Sequence, residues 1–347
     1  MDLLILSIFA IVVILSFIED YLPAWQKIFI LSSIGIALIC ISTFKPMTTA
    51  DAENYENYFY NNDVFFIQII TEPTFLYLSR FYLSLGLEIT AIFLTYALIA
   101  IPMKLTLLWK MTPFVFTSMI VYIGIYYPMH DVVQIRCGVA TAFLLWSIIP
   151  LAKRQYFLAT TLFVIAILFH YSSFVFLPIL LLGNVKINQY WKYILGAAIP
   201  ICLLMYFAGI NAFSLIPESF IEGKLEYYQT RGSSGGLENY VPYKQLSFIV
   251  EFISLYIFLF FYDTIEKNCQ YAPILIKVLV LGMACHVMFV EVEVLGHRLH
   301  DLFGIFYVVA YAQCLYCIKP RYVVRIFLAV FSLAYYLDKM YGDVYFH

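Results

Sequence analysis

In a chain of 347 residues that is 63% hydrophobic, a few polar side chains stand where chemistry is possible. Gln134 and Arg136 follow His130 and Asp131 and open an otherwise apolar helix. His170, in Phe169-His170-Tyr171-Ser172-Ser173, interrupts a long apolar stretch. A third group is His297-Arg298-Leu299-His300-Asp301, preceded by Glu291 and Glu293. A guanidinium presents a planar fork of donors, so Arg136 and Arg298 suit phosphate or carboxylate binding. A neutral imidazole suits proton removal from a hydroxyl, which is the role open to His170. Each has a plainer alternative. Arg136 would be a snorkelling anchor, Arg298 an ion pair with Asp301 three positions on, and His170 a buried ring satisfied by a neighbouring helix.

Other segments supply groups that could meet a ligand. Asp51-Ala52-Glu53-Asn54-Tyr55-Glu56-Asn57-Tyr58 mixes carboxylates, amides and tyrosines. Asp51 and Tyr55 are its candidates, because such groups accept hydroxyl hydrogens and stack on sugar faces. Lys224, Tyr227, Tyr228 and Arg231 form a second polar stretch, of which Tyr227 and Arg231 are the candidates. Glu72 stands just before Pro73, where the dipole of a following helix is enough to explain an acid. His297 and Asp301 are metal-ligand types, but His297-x-x-His300 is not the HExxH spacing, and no metal is expected.

The elements that must position these groups are membrane helices. Only 12% of residues are charged, and apolar runs of roughly twenty residues recur from end to end. Without water in the bilayer core the backbone must satisfy itself, so the runs are helical. The reading is an all-α polytopic membrane protein with about twelve spans. They fall near 2–18, 27–44, 87–109, 113–128, 131–152, 155–169, 171–183, 190–210, 246–262, 273–293, 301–318 and 322–337. The segment 171–183 is short enough to be a re-entrant turn, and 73–86 is amphipathic and reads as an interfacial helix.

Walking alternately through these spans places Lys27, Lys104, Lys110, Lys153, Arg154, Lys186, Lys192, Lys267, Lys319 and Arg321 on one face. The positive-inside rule makes that face cytoplasmic. The long loops 45–86 and 211–245 are then extracytoplasmic, and Arg136, His170 and Arg298 lie at that outer side. The first span lacks a basic start and a small-residue cleavage site, so it reads as retained.

Several function classes fall away. There is no basic patch for nucleic acid and no phosphate-binding glycine loop, which argues against an ATP-driven pump. Cys314 and Cys317 are one helical turn apart and read as buried thiols. Gly232-Ser233-Ser234-Gly235-Gly236 reads as a hinge in the second outer loop.

QIRCGVATAFLL (134–145), FHYSSFVFLPILL (169–181), EPTFLYLSRF (72–81) after the acidic loop, and HRLHDLFGIF (297–306) together resemble the EpsG-type family of bacterial polysaccharide membrane proteins, grouped with Wzy-like O-antigen and capsule polymerases. The resemblance runs from about residue 45 to 310, and the order and spacing of the segments carry it. It implies a GT-C-like glycosyltransferase of the bacterial inner membrane. Such an enzyme transfers a growing glycan from undecaprenyl diphosphate to another lipid-linked repeat unit at the periplasmic face. Arg136 with Gln134, His170 and Arg298 are the positions it points to. The lipid-linked oligosaccharide serves as donor and acceptor, no cofactor is needed, and a chain-length regulator is a possible partner. Cys137 departs from the larger polar residue expected after the arginine. An O-antigen ligase uses a similar donor and competes closely. A transporter or flippase for the same lipid would show internal repeats and midplane polar groups, which are not evident here.

Overall fold

The computed structural model describes residues 1–49, 51–210, 245–289 and 293–341, and its elements are helices. α1 (Asp2–Ile18) and α2 (Ala24–Thr43) come first in the chain. The segment that follows, expected as an outer loop, is not bare. It holds α3 (Ala52–Tyr60), α4 (Phe65–Ile70) and α5 (Pro73–Ser84). Pro73 suits the start of α5, where its missing N–H costs nothing.

α6 (Thr90–Met111) leads to α7 (Val115–Val121), which runs on into a π-helical stretch, Tyr122–Val133, with Pro128 inside it. Gln134 ends that stretch and α8 (Ile135–Ala152) begins, so Arg136 sits in its first turn. α9 (Tyr156–Phe169) stops at His170, whose backbone is extended. A 3₁₀ turn (Tyr171–Phe176) and α10 (Leu177–Leu182) follow. The expected span at 171–183 is thus a short, broken helix.

α11 (Gln189–Phe207) precedes α12 (Leu246–Phe260) and α13 (Tyr262–Asn268). The rest is α14 (Ala272–Met288), α15 (Glu293–Gly304), α16 (Tyr307–Cys317) and α17 (Arg321–Tyr341). α8 packs on both α6 and α9, α2 on α6, and α14 on α15, which puts α8 at the centre.

By length and composition, α2, α6, α8 and α11 can cross a bilayer, and α12 with α13, bent by 77°, makes a fifth if the pair is one span. Other apolar helices, among them α1, α9, α14 and α16, are 10–17 residues long. The apolar runs lie where the sequence puts them, but several are interrupted. The run expected at 301–318 breaks after Gly304, so His300 and Asp301 belong to α15 rather than to the helix that follows.

Several of the basic residues expected on one face gather at one end of the bundle. Lys27, Lys110 and Lys267 line a common cavity there. Lys192 pairs with Asp263 at 3.2 Å, Lys186 with Glu266 at 2.8 Å and Arg321 with Asp20 at 3.3 Å. Lys104 is the exception. It is buried within α6, and its ammonium donates to both carboxylate oxygens of Asp131 at 2.8 Å. The Tyr122 hydroxyl donates to the same carboxylate at 2.8 Å. Lys104 is therefore not an inner-face anchor, because an ammonium this deep must have a carboxylate partner. Asp131 in turn answers to Lys104 rather than to Arg136.

Candidate active site

Four pieces of chain converge at the opposite end: α3, the start of α5, the first turn of α8 and the end of α9. Arg136 donates from Nη1 to Oε2 of Glu72, and the other Glu72 oxygen, Oε1, lies 3.0 Å from Nδ1 of His170. One carboxylate thus joins the arginine and the histidine. Glu72 is the N-cap residue of α5, where the helix dipole favours a negative charge, but its side chain makes no cap hydrogen bond and is spent on the bridge instead.

The site is sheltered but not sealed. The side chains of Glu72, Arg136 and His170 keep 6%, 19% and 15% of their exposure. Burial pulls the Glu72 carboxyl up, but the Arg136 charge and the bond to His170 outweigh it and hold the group below its usual range. Ionised Glu72 can only accept, so Nδ1 of a neutral His170 must carry the proton. That leaves the Nε2 lone pair as the proton acceptor.

Arg136 lies among aromatic rings. Its Cζ is 5.2, 5.6 and 5.9 Å from the ring centres of Tyr55, Tyr58 and Phe75, distances at which the ring faces attract a cation. Its Nε is buried and has no hydrogen-bond partner. A buried donor left unmade costs on the order of 1–3 kcal/mol, which an incoming anionic oxygen would recover.

The supporting contacts are specific. Thr74 Oγ1, two residues after Glu72, donates to the Leu168 carbonyl at 2.9 Å and ties α5 to the end of α9. Tyr96 meets Phe75 and Phe169 at ring distances of 6.2 and 5.5 Å. Gly138 lets α8 fold back on the preceding stretch. A Cβ there would stand 2.3 Å from the His130 carbonyl oxygen and 2.9 Å from Asp131 Oδ1.

Lys45 was not singled out from the sequence. It is buried just beyond α2, donates to the Val132 carbonyl, and stands 4.3 Å from the ring of Phe93 and 5.4 Å from that of Tyr55. Burial pushes its ammonium down to about 7, against the opposing pull of Asp51. A lysine just past an apolar run, on the face where the charge rule does not want it, was the available signal.

Of the expected residues, the structure brings Glu72, Arg136, His170 and Tyr55 together. Asp51, the first residue before α3, acts electrostatically on Lys45 and Tyr55. Gln134 is half-buried at the junction before α8. Arg298 is exposed on α15 and, among the described residues, makes no ion pair, so the pairing with Asp301 is not formed. Its charge does reach Cys137, next to Arg136. Tyr227, Arg231 and Glu291 lie outside the described residues, as does the hinge 232–236.

His297 and Asp301 fall in a second polar cluster. His300 Nε2 is 2.6 Å from Glu251 Oε2, and its Nδ1 is 3.6 Å from Asp301. The His286 ring centre is 4.3 Å from that of His300 and 5.4 Å from that of His297. Fully buried His130 is within electrostatic reach of Asp301. Among the described residues, no group of three or more histidine, cysteine or acidic side chains is arranged to hold a metal.

The EpsG family model matches residues 27–347, nearly the whole chain. This chain belongs to the EpsG family. No curated protein and no solved structure matches it. Its EpsG membership and its apolar helices make it a membrane protein of polysaccharide biosynthesis.

Proposed function

We propose that this EpsG-family chain is a GT-C-like glycan polymerase with about twelve membrane passages, several of them broken or short. It works at the periplasmic face of a bacterial inner membrane on undecaprenyl-diphosphate-linked repeat units. The observation that carries this reading is the single carboxylate, Glu72, that joins Arg136 to His170.

The two ends of that bridge suit the two halves of a glycosyl transfer. His170 Nε2 takes the proton from the acceptor sugar hydroxyl as its oxygen bonds to the anomeric carbon of the donor. The bond from that carbon to the diphosphate breaks, and the electron pair leaves with the lipid diphosphate. Arg136, with its unpartnered Nε, neutralises the charge that develops there, helped by Arg298 at the same end. Fixed cations in a partly dry site are worth more than in water, because no solvent must reorganise. Glu72 positions both groups, Tyr58 and Asp51 offer sugar-facing surface, and Tyr55, expected to contact sugar, is instead buried behind the Arg136 guanidinium. The activated donor is the lipid diphosphate itself, and a chain-length regulator would act from outside this site.

The test is complementation of a deletion strain. Wild-type protein restores long glycans, whereas Arg136→Ala and His170→Ala, at equal protein levels, leave single-repeat chains. Normal long chains from Arg136→Ala would overturn the donor-binding role. Long polymer retained on the carrier lipid of the deletion strain would instead assign a ligase.

A further inference from the structure

At the end of the bundle away from Glu72, two cavities lie on either side of Trp109. The first, of 650 Å³, is lined by Lys27, Lys110 and Lys267 together with Trp109. Its carboxylate, Glu266, is already paired with Lys186 at 2.8 Å, so the three ammonium groups set its charge. The second, of 380 Å³, is a groove between α2 and α6 lined by Ile28, Ile36, Pro102, Leu105 and Thr106. Trp109 lines both, and Lys27 of one is followed in the chain by Ile28 of the other. Gly35 lets Leu105 pack closely against α2 at the floor of the groove, since a Cβ there would stand 2.8 Å from Leu105 Cδ1. The lining residues Ile36, Pro102 and Thr106 are exposed on the flanks of α2 and α6.

We propose that this composite cavity binds one anionic diacyl phospholipid of the cytoplasmic leaflet. The phosphate sits among Lys27, Lys110 and Lys267, and an acyl chain lies in the α2–α6 groove. Charge selects the occupant, because basic pockets between helices on the cytoplasmic side attract anionic headgroups. The apolar groove leading out of the basic pocket distinguishes a lipid from a free anion. Trp109 at the junction suits the headgroup level, where indole rings favour the membrane interface.

The experiment measures lipids retained by the full-length protein in native mass spectrometry, after mixed micelles with palmitoyl-oleoyl phosphatidylglycerol or phosphatidylcholine. Wild type is expected to retain phosphatidylglycerol about tenfold more than phosphatidylcholine, a difference of about 1.4 kcal/mol. The Lys27→Ala/Lys110→Ala/Lys267→Ala variant loses that preference. Thr106→Trp, which fills the groove and leaves the lysines in place, loses retention of phosphatidylglycerol. Equal retention of the two lipids by wild type overturns the proposal without any variant, so misfolding of the triple variant does not shelter it. Displacement of the lipid by millimolar inorganic phosphate, with Thr106→Trp behaving as wild type, would reveal an anion site with no chain and overturn it equally. Preference for a polyprenyl phosphate over phosphatidylglycerol would also contradict it.

Discussion

Removing Glu72 should expose how tightly the site is built. In Glu72→Ala, Arg136 keeps its aromatic surroundings of Tyr55, Tyr58 and Phe75 but loses its counter-charge, and His170 loses the acceptor of its Nδ1 proton. Breaking a buried ion pair from one side costs about 3–5 kcal/mol. Arg136 retains 19% of its exposure, so the loss belongs near the lower end, about 3 kcal/mol. Arg136→Ala should cost a similar amount, because it leaves Glu72 with only His170. The double variant removes both charges and should fall short of the sum by about 2 kcal/mol, within the range measured for residues in direct contact. The assay is reversible unfolding in mixed micelles with increasing dodecyl sulfate, applied to all four proteins. Additive effects, or single losses below about 1 kcal/mol as for exposed pairs, would refute the buried bridge.

Three further outcomes follow from the same geometry. Glu72 has a folded-state pKa below 4.5, so the stability it contributes is present above 4.5 and is lost as pH falls through the folded value; Glu72→Gln should flatten that acid limb in unfolding measured against pH. Lys45 is held down to about 7 from 10.5, so the unfolded chain binds more protons between those values and stability rises with pH across that window; Lys45→Met should remove the rise. Gly138→Ala forces a Cβ against the His130 carbonyl and should cost about 3 kcal/mol, with loss of glycan assembly as Arg136 shifts; retained stability and activity in membranes would count against the close approach.

The positions of most helices could be read from the chain, because an apolar run long enough to lie in lipid leaves the backbone little choice but to coil. α1, at Asp2–Ile18, falls where hydropathy puts it. Interruptions were harder to see. The π-helical stretch from Tyr122 and the break after Gly304 lie inside apolar sequence, where hydropathy carries no signal for backbone geometry. Pairings between helices were harder still. Lys104 looked like an anchor because its partner, Asp131, is brought to it only by packing. Arg136 and His170 were visible because each interrupts apolar sequence at a helix end. Glu72 was visible too, but its position before Pro73 already had a local explanation, which hid the two groups it joins. The histidines near Glu251 show the same limit, since residues 251, 286 and 300 meet only when α12, α14 and α15 pack together.

The most direct measurement uses the purified protein in liposomes with lipid-diphosphate-linked repeat units as the sole substrate, resolving glycan length on a gel. Wild type should yield a ladder of increasing chain length, while His170→Ala, Arg136→Ala and Glu72→Ala yield single repeats only. A full ladder from the variants, at wild-type rate, would contradict glycosyl transfer at the Glu72 bridge.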